Sequence, residues 1–352
     1  SGVNHSATMR GIYAQSGTRA NITISNNTIT LNGGGTTSQI SAIENGTGAT
    51  AASNTINITN NTITNCTNNT TTTGTWYGIY NNGASASYLN IYGNTFSNNF
   101  SKATSGATYL IYNNGAIAGA TVIKKNNISV GYNNSAAYTA SIYSIYNSSG
   151  TVTTNLTIDS NNFSNYNNVN VAGSGSLYYI YNTSNMANVS FSYNTWTNLT
   201  LNHTGSEYLI YNSSSTQVAL NVNFNRIITG YTRTATAGTM YLYYCSSSSL
   251  GTSTQTFNGN DFSNITANVN GAGTFYGIYS SDGSASPYPK KTISNNNLSN
   301  ITYKTSGSTY LMNLSYLGDG TTTSGSSFFN NTITNIIDSG ATYGLYSGTT
   351  TS

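Results

Sequence analysis

Ten times along the chain an asparagine stands two residues before a large apolar residue, and the spacing never varies. The unit is clearest in INITNNTITN from Ile56, which reads apolar-x-apolar-x-x-Asn-x-apolar, usually followed by Ser or Thr. The asparagines are Asn27, Asn61, Asn94, Asn126, Asn161, Asn194, Asn225, Asn260, Asn296 and Asn331. The apolar residues are Ile29, Ile63, Phe96, Ile128, Phe163, Trp196, Ile227, Phe262, Leu298 and Ile333. Fixed self-similarity at this period is the mark of a repeat architecture, in which one short unit buries its apolar face only by stacking on its copies.

A second unit alternates with the first. TWYGIYNNG begins at Thr75, TYLIYNNG at Thr108 and EYLIYNSS at Glu207. Its second tyrosine falls at Tyr13, Tyr80, Tyr112, Tyr146, Tyr181, Tyr211, Tyr244, Tyr279 and Tyr346, with Glu44 and Asn313 filling the two gaps. That makes eleven copies about 33 residues apart, each preceded by a large apolar residue such as Ile79, Ile111 or Ile145. Alternation and β-branched content predict three short strands per period and no helix. The turn between the first two strands has constant length, while the other two connections vary and carry the Gly and Ser. These features predict a single solenoid over residues 1–352, an all-β coil of ten or eleven turns, ~50 Å long at the ~4.8 Å spacing of parallel strands. Both ends break off mid-pattern without a capping motif, so a slice of a longer solenoid or a head-to-tail filament subunit is expected.

The constant asparagine has a physical role in such a coil. Asn tolerates left-handed backbone geometry at a sharp turn, and its amide can donate to the copy one coil along, forming a hydrogen-bonded ladder. The shortage of charge follows too. Only 5% of residues are charged, and a charge repeated at one coil position would sit ~4.8 Å from its copy, at a cost of about 1 kcal/mol per pair even in water. Thirty tyrosines and regularly spaced Ile distinguish the chain from a disordered polar tract.

The repeat resembles the right-handed parallel β-helix of the pectate-lyase-like superfamily, whose short second turn carries an Asn ladder. The resemblance runs from about Gly11 to Tyr346. The NNTITN and YGIYN style is also similar to repetitive secreted surface proteins and adhesins of Bacteroidetes-type bacteria. Enzymes of that superfamily are expected to cluster catalytic or calcium-binding Asp, Lys and Arg on one strand ladder, which by strand matching is the tyrosine cassette. Here that ladder carries Tyr, with Glu44 its only acid.

The other acids are Asp159, Glu207, Asp261, Asp282, Asp319 and Asp338. A glycosidase needs two carboxylates held within about 10 Å, and these are dispersed. The nearest thing to a catalytic group is His203 and Glu207 in one loop with Arg233 in the equivalent loop of the next coil; scattered loop charges is the simpler reading. Asp282-Gly283 and Asp319-Gly320 occupy equivalent connections, where Asp-Gly is first a turn signal. No catalytic residue, metal site or cofactor is therefore expected. Cys66 and Cys245 lie five coils apart, ~24 Å by the strand spacing, too far for a disulfide; two free, buried thiols are expected. Sequons such as Asn21-Ile22-Thr23 recur because the repeat is built of those letters.

The net charge of +3 rests on ten scattered cations, which gives no footprint for nucleic acid or an anionic membrane. No apolar stretch approaches the ~20 residues of a membrane span, and the first residues contain no apolar signal core. An Asn/Ser/Thr-rich surface suits an extracellular or cell-surface setting. The leading expectation is a structural or adhesive rod that self-associates end to end or laterally and contacts surface glycans. A glycan-binding or polysaccharide-degrading β-helix is the alternative. An ice-binding face is a third reading, from the outward pairs Thr28/Thr30, Thr62/Thr64, Thr195/Thr197 and Thr332/Thr334. Strand alternation places Tyr77 inward beside Ile79, and Gly78 outward with Tyr80. The candidate contact ladder is then Tyr80, Tyr112, Tyr146, Tyr181, Tyr211, Tyr244 and Tyr279.

Overall fold

A computed structural model describes residues 7–15, 21–33, 37–48, 54–67, 73–83, 86–97, 105–130, 138–151, 153–245, 253–267, 271–281, 288–304, 306–315, 317 and 325–348. The described chain is a parallel β-helix without α-helices. One sheet holds eleven cassette strands, from Met9–Ala14 to Thr342–Gly348, each paired in parallel with the cassette of the next coil. A second sheet stacks ten first strands such as Thr55–Thr59. A third stacks seven second strands such as Thr62–Thr64.

A further sheet of six strands was not expected. It runs from Asn167–Gly173 through Leu199–His203 and Tyr231–Arg233 to Thr332–Asp338, between the second strand and the cassette. The later coils thus have a fourth side. The corner leading into it is made by a left-handed residue two positions after the inward apolar one at Asn165, Asn198, Asn264, Asn300 and Asn335, and three positions after it at Gly230. Asn accepts that geometry at low cost because its short side chain bonds locally.

The asparagine ladder of the first corner is complete. Nδ2 of Asn27 donates to Oδ1 of Asn61 at 2.9 Å, and every following pair to Asn296 and Asn331 repeats the bond at 2.8–3.1 Å. Each interior amide meets four partners. Asn61, fully buried, accepts from the backbone N–H and the amide of Asn27, and donates to Asn94 and to the Ile24 carbonyl. A buried amide with all its groups bonded avoids the penalty of burying polar atoms.

The left-handed residue, however, is not the ladder asparagine. It is the residue before it: Asn26, Asn60, Gly93, Lys125, Ser160, Tyr193, Phe224, Gly259, Asn295 and Asn330, with φ between 54° and 66°. The ladder position is selected for its amide, and the turn is made one residue earlier. At that earlier position the side chain points away from the coil, so its identity is free to vary.

The interior is one continuous apolar column. Ile63, Phe96, Ile128, Phe163, Trp196 and Ile227 pair in register coil on coil and are 2% exposed or less. Burying such side chains contributes about 1.5–3 kcal/mol each. Cys66 and Cys245 are buried and outside any disulfide, as the spacing predicts; burial pushes the Cys66 thiol up to about 11.

Candidate functional site

The cassette strand does not alternate simply. In Thr108–Asn113, Leu110 and Ile111 are both fully buried while Tyr109 and Tyr112 are half-exposed. Two adjacent residues enter the interior at a bend in mid-strand, so positions three apart share the outer side. Tyr77 is therefore not an inward neighbour of Ile79. Its ring stacks on Tyr80 at 4.3 Å. Gly78 in turn faces inward, where an added Cβ would collide with the Phe96 ring and the Leu110 carbonyl.

The outer side consequently carries two tyrosine rows. The first is Tyr77, Tyr109, Tyr143, Tyr178, Tyr208, Tyr241, Tyr276, Tyr310 and Tyr343. Successive rings in it lie 4.6–5.2 Å apart and within 12° of parallel. The second follows the expected ladder, Tyr80, Tyr112, Tyr146, Tyr181, Tyr211, Tyr244 and Tyr279, at 4.8–5.3 Å. Its rings stay stacked until Tyr244, which turns 71° to Tyr211. Tyr346 joins the far end, edge-on to Tyr343. The strand spacing of a parallel sheet, ~4.8 Å, sets this repeat, and each aromatic pair contributes about 0.5–1.5 kcal/mol beyond area burial.

Because rings cover one another's faces along the rod, the surface presents ring edges. The hydroxyls are tied at the margins. Tyr143, Tyr178 and Tyr208 bond Ser141, Ser176 and Ser206 on one side. On the other, Ser148 donates to the Tyr112 hydroxyl and Thr183 to that of Tyr146. Burial first, and repulsion from the neighbouring Tyr211 phenolate second, raise the Tyr208 phenol to about 12. Burial raises Tyr181 to a similar value, about 12, against a lowering bond from Ser213. At neutral pH these phenols carry no charge.

The one acid among the described residues of this face, Glu44, is buried and paired. Arg10 donates to it through Nε at 2.6 Å, and Gln39 and Ser41 add bonds. Arg10 also lies 4.2 Å over the Tyr13 ring. The charge pair sits in register with the first tyrosines of both rows.

Under the second row runs another asparagine ladder. Asn45, Asn81, Asn113, Asn147, Asn182 and Asn212 are fully buried, each amide donating to the next at 2.7–2.9 Å. Cys245 takes the next position in register and ends it. The signal was present in the sequence, since an Asn follows the second cassette residue in six consecutive coils. The abundance of Asn concealed it.

His203, Glu207 and Arg233 do come together, on strands inside the coil and not in surface loops. All three are 1% exposed or less. Arg233 Nε lies 3.5 Å from Glu207 Oε1 and donates to the His203 carbonyl, while Nη2 also reaches the Gly205 and Ala237 carbonyls. The Tyr231 hydroxyl donates to Glu207 Oε2 at 2.7 Å. Burial pushes His203 down to about 3, with Arg233 adding to the effect, so its ring is neutral. Burial raises Glu207, opposed by Arg233 and Tyr231. This cluster fills the interior under the fourth side and offers no open approach to a substrate.

Among the described residues, no three His, Cys, Asp or Glu gather where they could hold a metal ion. Asp282-Gly283 and Asp319-Gly320 lie outside the described residues. A shallow groove of about 390 Å³ crosses the fourth side, lined by Thr and Asn around Gly230 and Tyr231. It opens where Gly230 replaces the corner asparagine. The chain matches no protein-family model, no curated protein and no solved structure.

Proposed function

We propose that the chain is a non-enzymatic structural or adhesive rod of the extracellular space or cell surface, associating side by side through its tyrosine face. The supporting observation is the double row of seventeen tyrosines, broken only in the second row at Asn313 and, among the described residues, uncharged except for the Arg10–Glu44 pair at one end. Identical faces meet without like-charge repulsion, and share one axial repeat. Tyrosine is enriched at the energetic centres of interfaces. These rings are already fixed by stacking, so contact costs little further side-chain entropy.

Within this reading the chain is kin to the pectate-lyase-like β-helices and to the repetitive surface proteins of Bacteroidetes-type bacteria; the solenoid and its asparagine ladder support that placement. A sugar stacking on this face is the weaker alternative, since the ring faces it needs are covered by neighbouring rings.

The test is the variant Tyr112→Thr/Tyr146→Thr/Tyr181→Thr. Threonine suits a strand and the first row remains stacked, so circular dichroism should keep its β signature. Sedimentation velocity should show association weakened by at least ~10-fold, as expected for removing interface anchors. Unchanged association would make the face plain scaffold.

A further inference from the structure

The tyrosine face places phenols in unbroken contact over most of the rod while keeping other oxidisable groups off it. Cys66, Cys245, Trp76, Trp196, Met186 and Met240 all lie in the interior. On the face itself, each ring has neighbours along its row and across to the other row, as Tyr109 has Tyr77, Tyr143 and Tyr112 at 4.7–5.2 Å.

We propose that this face is an oxidative cross-linking site, where carbon–carbon bonds form between tyrosines of adjoining rods, with hydrogen peroxide activated by a haem peroxidase as the oxidant. The inference rests on the lateral-contact reading given above. Two phenols each lose one electron and one proton, giving two phenoxyl radicals. The radicals join through the ring carbons ortho to oxygen. Each of those carbons then passes its hydrogen to the oxygen, restoring two phenols joined by a biaryl bond. The peroxide takes up the two electrons and two protons and leaves as two waters.

Geometry decides where the bond forms. A biaryl bond needs two ring edges to meet, whereas successive rings of the first row, and of the second as far as Tyr211, meet face to face. Coupling inside a stacked row is therefore disfavoured, and coupling across two copies, whose exposed parts are edges, is favoured. The row also relocates the radical. A phenoxyl formed on any ring can regain its electron and proton from a neighbour in contact, so oxidation at one point can be trapped wherever edges of two rods touch. Burial holds phenols such as Tyr112, Tyr181 and Tyr208 in their neutral form, the hydrogen-atom donor.

Tyr193 is the internal control. It is 56% exposed, off the tyrosine face, and among the described residues stacked only on Phe224. Exposure alone would make it the first residue to couple.

The full chain, at a concentration where light scattering reports association, is treated with a haem peroxidase and hydrogen peroxide. Dityrosine fluorescence, denaturing gels and fragment mass spectrometry are then read. The expected result is covalent oligomers linked through tyrosines of the two rows, with Tyr193 in fewer than about a tenth of the links. The Tyr112→Thr/Tyr146→Thr/Tyr181→Thr variant should lose several-fold of the covalent dimer. Links concentrated at Tyr193, or confined within single chains, while scattering still shows association, would overturn the cross-linking inference and leave the contact face standing. Absence of association, with no links on the face, would overturn both.

Discussion

Replacing Asn161 by alanine should injure the coil more than any surface change of equal size. Asn161 is fully buried in the middle of the first-corner ladder. Its Oδ1 accepts from the Asn126 backbone N–H at 3.1 Å and from the Asn126 amide at 3.0 Å. Its Nδ2 donates to the Ile123 carbonyl at 3.0 Å and to Asn194 at 3.1 Å. Alanine leaves the Asn126 N–H, one amide proton of Asn126 and the Ile123 carbonyl without their partner, all inside the coil. Asn194 keeps the donor from the Asn161 backbone. At ~1–3 kcal/mol for each of these three orphaned buried groups, the loss is about 3–9 kcal/mol. Asn27→Ala is the matched control. Asn27 begins the ladder, is only half-buried, and donates to Asn61 and to the Ser25 carbonyl. The Asn61 oxygen keeps the Asn27 backbone N–H, so that change should cost about 0.5–1.5 kcal/mol. Because each coil contacts only its neighbours, hydrogen exchange should rise in the coils on either side of Asn161 and much less elsewhere. Guanidinium unfolding supplies the totals. If Asn161→Ala costs no more than Asn27→Ala, the ladder does not hold the turn and the reasoning fails.

His203 gives the fold an acid sensitivity. Its folded ring takes a proton only near pH 3 against 6.5 unfolded, so the unfolded chain binds more protons in between and stability falls as pH drops through that window. Glu207, raised by burial, works in the opposite direction. Between pH 7 and 4 the parent chain should lose about 3 kcal/mol more than His203→Gln; equal losses in urea titrations at the two pH values would contradict this. Tyr193 and Phe224 occupy the left-handed corner at φ 59° and 56°, a conformation costing ~1 kcal/mol or more for bulky residues. Converting both to Asn removes one stacked pair, worth ~0.5–1.5 kcal/mol, so the melting temperature should rise slightly; a clear fall would show the aromatics hold the corner. Gly78→Ala should cost ~1–3 kcal/mol through overpacking against Phe96, and a neutral result by thermal melting would place Gly78 outside the interior.

The sequence carried the solenoid because its core is periodic. Ile63, Phe96 and Ile128 repeat at a fixed offset from Asn61, Asn94 and Asn126, and one geometry satisfies both columns. The left-handed position before those asparagines was invisible, since a solvent-facing site accepts Asn, Lys, Ser, Tyr or Phe alike. Tyr77 was misplaced by assuming strict alternation through a strand that bends. The repeated Tyr pairs three apart were the available clue, because a second tyrosine per coil fits better outside than within. Likewise, Leu199, Leu201 and His203 alternate as inward residues of a strand. Polar His203 and Glu207 drew the segment into a loop, and with it went the fourth side.

The tyrosine face as the contact between rods is the central claim, and spin-label distances test it most directly. Cys66 and Cys245 are buried, so a single label can be placed at Asn114→Cys beside the tyrosine rows, Asn188→Cys on the first-strand sheet, or Thr266→Cys on the fourth side. All three positions are exposed. In associated material, dipolar spectroscopy should give the shortest distance between rods for the Asn114 label. Shortest distances from Asn188 or Thr266 would show that the rods meet through another face.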